Sequence, residues 1–228
     1  TYKYVGMGAG QFDLTGPAPP SRMPLFACGG VVVLALVALL LVLCVPTAST
    51  TRVSFGTGDP KDCLLWGDPH IETFDGGFPN AYGEGEFWIV KSNMVSIQGR
   101  YLATPFTNGL AATHQIAVGG KFMGGHKFTV GPMENGQITC DDGPILQGFP
   151  SEATCGPVTL NYNGMGKLVD DAQIKLEKHI VHFDMPSMKL HIQILRWANH
   201  LNVKITMPPQ ATGMDGSCGN FNGNAIDD

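Results

Sequence analysis

The chain has 228 residues, 30 of them glycine, a charged fraction of 14% and a net charge of −5. Glycine at nearly twice the usual share, with charge well below the roughly 25% of an average soluble domain, suits a turn-rich β protein joined to an apolar segment. No stretch is dense in Lys or Arg, so the chain lacks the electrostatic footprint of a nucleic-acid binder.

Residues 1–24 carry Lys3 and Arg22 against Asp13 and include "GPAPPSRMP". They read as a short cytoplasmic tail. Residues 25–45, "LFACGGVVVLALVALLLVLCV", contain no charged or strongly polar side chain. At 1.5 Å per residue they reach about 31 Å, the thickness of a bilayer's hydrocarbon core. A cleaved signal peptide is the rival reading, but its apolar stretch is usually shorter, and Pro46 would sit close to a cut after Ala48. The expectation is therefore an uncleaved single transmembrane helix. The slight positive excess before it puts the N-terminus in the cytoplasm and the C-terminal domain in an extracellular or luminal space. Residues 46–62, "PTASTTRVSFGTGDPKD", read as a linker.

From Cys63 onward the pattern is short strands between Gly, Pro, Asn and Asp turns. "GEFWIVKS", "MVSIQGRYL", "HQIAVGG", "HKFTVG" and "PVTLNYNG" are each rich in β-branched or aromatic residues and bounded by turn formers. "AQIKLEKHIVHFDM" alternates as a strand does, though its length also accommodates a helix. "MKLHIQILRWANHLNVKITMP" is the clearest hairpin: Leu190, Ile192 and Ile194 share one face, Leu201, Val203 and Ile205 answer them, and "WANH" makes the turn. The expected fold is all-β, an antiparallel β-sandwich over residues 63–228 preceded by a single transmembrane α-helix.

Cys28 and Cys44 lie in the apolar segment and behave there as small hydrophobes. Cys63, Cys140, Cys155 and Cys218 fall in the expected exterior domain, an even number that suggests two disulfides in one of three connectivities. None of them forms a C-x-x-C pair, so a zinc knuckle has little support. His179, His182, His191 and His200 do not make a metal site by spacing, because His179 and His182 point to opposite faces of a strand. No G-x-S-x-G elbow is present, which argues against a serine hydrolase. Glu84 and Glu86 on one strand face read as two solvated edge charges before they read as a glycosidase pair. N-x-S/T sequons are absent.

The last twelve residues, "SCGNFNGNAIDD", raise the question of a cation. Asn220, Asn222 and Asn224 alternate before Asp227 and Asp228. A curled backbone would aim their oxygens at one point, as calcium's six to eight oxygen ligands require. The competing reading is an Asn/Gly-rich surface turn.

W-G-D-P-H at Trp66–His70, T-F-D-G at Thr73–Gly76, the strand "GEGEFWIV" and the closing C-G-N-F-N-G-N-x-x-D-D occur in this order. Together they resemble the von Willebrand factor type D domain, the module of gel-forming mucins and related adhesive proteins. The likeness covers roughly residues 61–228. It implies pairing of Cys63 with Cys218 and of Cys140 with Cys155. It also implies a calcium ion held by Asp68, Asn220, Asn222, Asp227 and Asp228, with a carbonyl near Asn224. Two departures stand out: positions where the family carries cysteine are Gly85 and Asp215 here, consistent with one lost disulfide. Gly67-Asp68-Pro69-His70 also matches the sequence at which some type D-like domains cleave their own Asp–Pro bond. With Asp68 in both roles, calcium is expected to oppose that cleavage.

The resulting expectation is a single-pass membrane protein that displays one calcium-stabilised module for adhesion, matrix assembly or scaffolding. Protein or glycan partners, including a second copy, would bind through the ectodomain. Self-cleavage apart, it is not expected to be an enzyme. The alternative is an enzyme or ligand-binding receptor built on the same β scaffold, since fold does not fix function.

Overall fold

The computed structural model describes residues 4–6, 58–79, 83–164 and 179–228. The apolar segment 25–45, the rest of the expected tail and the linker up to residue 57 lie outside the described residues. Among those described, no helix is long and apolar enough to cross a membrane.

In chain order the strands are β1 (Tyr4–Gly6), β2 (Lys61–Trp66), β3 (His70–Glu72), β4 (Gly85–Ser92), β5 (Ser96–Ala103), β6 (Ala111–Gly119), β7 (Phe128–Val130), β8 (Ile138–Cys140), β9 (Gly143–Pro144), β10 (Ser151–Cys155), β11 (Val158–Tyr162), β12 (Ile180–Met185), β13 (Leu190–Arg196), β14 (Leu201–Met207) and β15 (Met214–Asp215). They form two antiparallel sheets. The first runs β1-β4-β5-β6-β7-β8-β9, with β15 also on β4. The second runs β10-β11-β12-β13-β14-β2-β3. The domain is all-β.

Register explains the core. Leu160, Phe183, Ile192, Ile205 and Cys63 stand opposite one another across five strands of the second sheet, and each is fully buried. Ile97, Val118 and Phe128 make the corresponding row in the first sheet. The rows meet where the Phe128 and Phe183 rings lie 5.5 Å apart, with Phe122 edge-on to Phe183 at 6.1 Å. Alternation puts every second side chain of these strands into one shared core. Fully burying a side chain of this size is worth about 1.5–3 kcal/mol. The segment that accommodated either a helix or a strand is a strand over Ile180–Met185; residues 165–178 lie outside the described set.

Each disulfide joins one sheet to the other. Cys63 lies in β2, and Cys218 follows β15, whose strand pairs with β4. Cys140 ends β8 and Cys155 ends β10. Gly85 and Asp215, the two positions where the resemblance implies cysteine, do not face each other. Asp215 stands opposite Lys91, six residues along β4 from Gly85. That is about 20 Å at strand rise, far beyond the roughly 4.4–6.8 Å between Cα atoms that a disulfide spans. One lost bridge between these positions is therefore not the explanation.

Candidate functional site

The closing loop is anchored by an irregularity in β4. Register shifts between Trp88 and Val90, which leaves carbonyls unclaimed by the ladder. The Ser217 N–H donates to the Trp88 carbonyl at 2.9 Å, and the Cys218 N–H to that of Ile89 at 3.0 Å. Gly216 must come this close: a Cβ there would meet the Ile89 carbonyl oxygen at 2.6 Å. Held by this pair and by the Cys63 bridge, Cys218 offers its own carbonyl to the Phe74 N–H at 3.1 Å. The closing loop thus lands on the T-F-D-G turn.

Residues 73–77 form a tight turn in which Thr73 N–H donates to Gly77 O at 2.9 Å and the Gly77 N–H to Thr73 Oγ1 at 2.8 Å. The Thr73 hydroxyl donates to Asp228 Oδ2, and Asp228 Oδ1 accepts the Asn220 N–H at 3.0 Å. Asp75 has no exposed side-chain surface. One of its oxygens accepts the Gly223 N–H at 2.9 Å, and the other faces Lys61 Nζ at 3.3 Å. Phe221 stacks on Phe74 with ring centroids 4.7 Å apart. Gly219 is required, because a Cβ at its φ of +83° would sit 2.2 Å from Asp228 Oδ1.

Within the loop the asparagines step along their own backbone. Asn220 Oδ1 accepts the Asn222 N–H, Asn222 Oδ1 the Asn224 N–H, and Asn224 Oδ1 the Ile226 N–H, at 3.0, 2.7 and 3.3 Å. Asn222 Nδ2 donates to Asp227 Oδ2 at 2.9 Å. Carboxylates and amide oxygens of this kind suit a hard cation such as calcium in chemistry and number. Their oxygens are engaged here by N–H and O–H donors and by Lys61. Among the described residues, no three of these carboxylates converge to within 4.8 Å of one another. Coordination would therefore need the asparagine amides and Lys61 to turn.

Asp68 is elsewhere. It sits at the tip of the β2–β3 hairpin, where Trp66 pairs with His70. Thr73 lies beyond the hairpin's other end, on the order of 15 Å away at strand rise. Asp68 Oδ1 is 3.1 Å from His70 Nε2. Gly67 adopts φ +66°, and its N–H donates to Asn202 Oδ1 at 3.2 Å. Asp68 and His70 face an open cleft of about 570 Å³ together with Trp66, Thr107 and Leu110. The structure thus brings Asn220, Asn222, Asn224, Asp227 and Asp228 together, and gathers Asp68, Pro69 and His70 in a separate turn. Asp75, Thr73 and Lys61 are the loop partners that sequence reasoning passed over. Asp75 was in plain view inside the T-F-D-G motif, followed by two glycines that make its turn.

The remaining candidates have structural partners. Glu86 is not a solvated edge charge. It is buried in a two-point ion pair with Arg100, at 2.6 and 2.9 Å, because both residues stand opposite each other in register. Glu84 accepts the Ala103 N–H at 2.8 Å. His179 meets the Tyr162 hydroxyl at 3.1 Å, and His191 pairs with Asp184 beside the His182 ring. His200 stacks on Trp197, and burial lowers its pKa to about 4. Compared with models of known protein families, the chain matches none.

Proposed function

We propose that residues 63–228 form a calcium-stabilised module, similar to a von Willebrand factor type D domain, that serves adhesion or scaffolding outside the cell or in a lumen. The observation that carries this reading is the closing loop, clamped over the T-F-D-G turn by a sheet-to-sheet disulfide. Its oxygen-rich side chains are collected on a rigid frame, as a structural cation site requires. In this reading the ion's ligands come from Asp75, Asn220, Asn222, Asn224, Asp227 and Asp228. The ion neutralises charge that Lys61 offsets only in part. Asp68, Pro69 and His70 serve the other proposed property, cleavage of the Asp68–Pro69 bond.

Membrane attachment through residues 25–45 rests on the sequence alone. A single crossing there would put residues 4–6 and the domain on opposite sides. Pairing of β1 with β4, Tyr4 opposite Phe87, has them on one side. Protease protection of an N-terminal tag in intact vesicles decides between the two arrangements.

The functional test uses beads coated with the full-length protein. Clustering of the beads, or their capture by extracellular matrix, in calcium but not in chelator supports the adhesive role. Indifference of both behaviours to calcium would defeat it.

A further inference from the structure

Two hairpin turns meet at one corner of the domain. Asp141 and Asp142 take φ of 50° and 65° between the paired residues Cys140 and Gly143, the two-residue turn that fits a strand's own twist. This fixes the Asp141 carboxylate beside β7: its Oδ1 accepts the Lys127 N–H at 2.9 Å, and its Oδ2 lies 2.7 Å from His126 Nδ1. The second turn, after Cys155, presents Gly156. A Cβ on Gly156 would fall 2.4 Å from His126 Cδ2, so the imidazole lies against bare backbone. The ring is held from both sides.

The ligand atoms of His126, Cys140 and Asp141 lie within 4.8 Å of one another, the only such group among the described residues. Cys155 lies outside that group, but its sulfur is bonded to that of Cys140 and is freed with it on reduction. We propose that Cys140, Cys155, His126 and Asp141 form a zinc site that opens when the Cys140–Cys155 disulfide is reduced. It uses no residue of the closing loop and stands apart from the calcium reading.

A dithiol is the reductant. Its thiolate attacks one sulfur, its second thiolate resolves the mixed disulfide, and it leaves as its own disulfide. Two electrons and two protons pass to the cysteines. Zinc then binds as both thiols lose their protons to solvent. Two thiolates, an imidazole and a carboxylate make the four-coordinate sulfur–nitrogen–oxygen set that zinc prefers and calcium does not. Asp141 is already oriented by the Lys127 N–H and stands beside the imidazole that would share the metal. The closed disulfide keeps the sulfurs from the metal.

The full-length protein is treated with a dithiol and dialysed against zinc, and bound metal is counted. In parallel, cobalt is added and the sulfur-to-cobalt charge-transfer band is recorded. Alkylation mapping reports which cysteines were reduced. The expected result is one zinc per chain after reduction and none before it. Uptake should disappear in the C140S/C155S variant and be weaker by at least about 10-fold in H126A. His126 is exposed, so the second variant keeps the disulfide and the fold. Equal zinc content before and after reduction would overturn the proposal. So would uptake that survives in C140S/C155S, which would place the metal on Cys63 and Cys218, or uptake unchanged in H126A.

Discussion

Asp75 accepts the Gly223 N–H across 148 residues of chain, while Asp68, seven residues earlier, pairs with His70 at the far end of a hairpin. Acidic residues of two neighbouring motifs therefore serve different turns. If calcium sits in the closing loop, Asp75 is the residue whose loss it should feel. Calcium at a hundredfold over its Kd stabilises by about 2.7 kcal/mol, or roughly 5–10 °C in Tm for a domain of this size. D75N and D228N should each remove most of that increment, and D68N should leave it intact. Thermal melts of the three variants in calcium and in chelator make the comparison. A calcium increment lost with D68N but kept with D75N would return the site to the hairpin tip.

The Cys63–Cys218 bridge closes a loop of 155 residues between two sheets. In the chain-entropy account, removing a bridge of that span costs about 5 kcal/mol, comparable to the whole stability of many domains. The C63A/C218A double variant should unfold at much lower denaturant and lose any calcium response, because the closing loop loses its anchor. Urea titration followed by tryptophan fluorescence measures both. A midpoint within error of wild type would show that the Trp88 and Ile89 carbonyls alone hold Cys218 in place.

How much of this was legible beforehand depends on the range of the interaction. The β13–β14 hairpin was, because Ile192 and Ile194 alternate against Ile205 and Val203 within twenty residues, and the ladder pairs them so. Strand β4 was, from "GEFWIVKS". The short strands β2, β3, β8, β9 and β10 were not, since two to six residues carry too little alternation to stand out from turns. The choice between Asp68 and Asp75 was equally invisible. Both sit in turns after Cys63, and only strand β3 between them sets them apart. Glu86 looked solvated because its partner, Arg100, is close only through strand register. His126, Asp141 and Gly156 carry no local signal, because the corner they form exists only once β7, β8 and β10 are in place.

His200 gives the domain an acid-sensitive term. Burial lowers its pKa from 6.5 to about 4, so in the folded state it stays neutral where the unfolded chain would bind a proton. Above pH 6.5 both states are neutral, and the group adds no pH dependence. Between pH 6.5 and about 4 the unfolded state binds more protons, and stability falls as pH falls. The loss is on the order of 2–3 kcal/mol across that window. His114, whose pKa burial also lowers, acts in the same direction. Replacing His200 with Asn should flatten the slope of unfolding free energy between pH 4 and 6.5 without altering it above pH 7. Denaturant titrations at a series of pH values read the slope, and an unchanged slope would assign the acid sensitivity to other groups.

The Asp68–Pro69 bond is the last test, and the hairpin tip supplies its chemistry. An Asp68 side-chain oxygen can attack the residue's own main-chain carbonyl carbon, closing a five-membered anhydride as the bond to Pro69 nitrogen breaks. That nitrogen must gain a proton to leave. His70 Nε2, 3.1 Å from Asp68 Oδ1, is the imidazole nearest in sequence to deliver one. Water then opens the anhydride, restoring the Asp68 carboxyl and leaving Pro69 as a new N-terminus. Because the leaving nitrogen must gain a proton, cleavage should rise as the solution is acidified. Calcium was expected to oppose the reaction by occupying Asp68, but Asp68 stands apart from the closing loop. Cleavage should therefore proceed equally with calcium or chelator, and equally in D75N. The Cys63–Cys218 bridge spans the cut, so the pieces stay joined until reduced. Purified protein held at about pH 5–6 should give a fragment beginning at Pro69 on a reducing gel and a single band without reductant. D68A should abolish the fragment, and H70A should slow its appearance by about 100-fold or more. An intact chain under reducing conditions after prolonged incubation at that pH would leave Gly67–His70 as an ordinary turn.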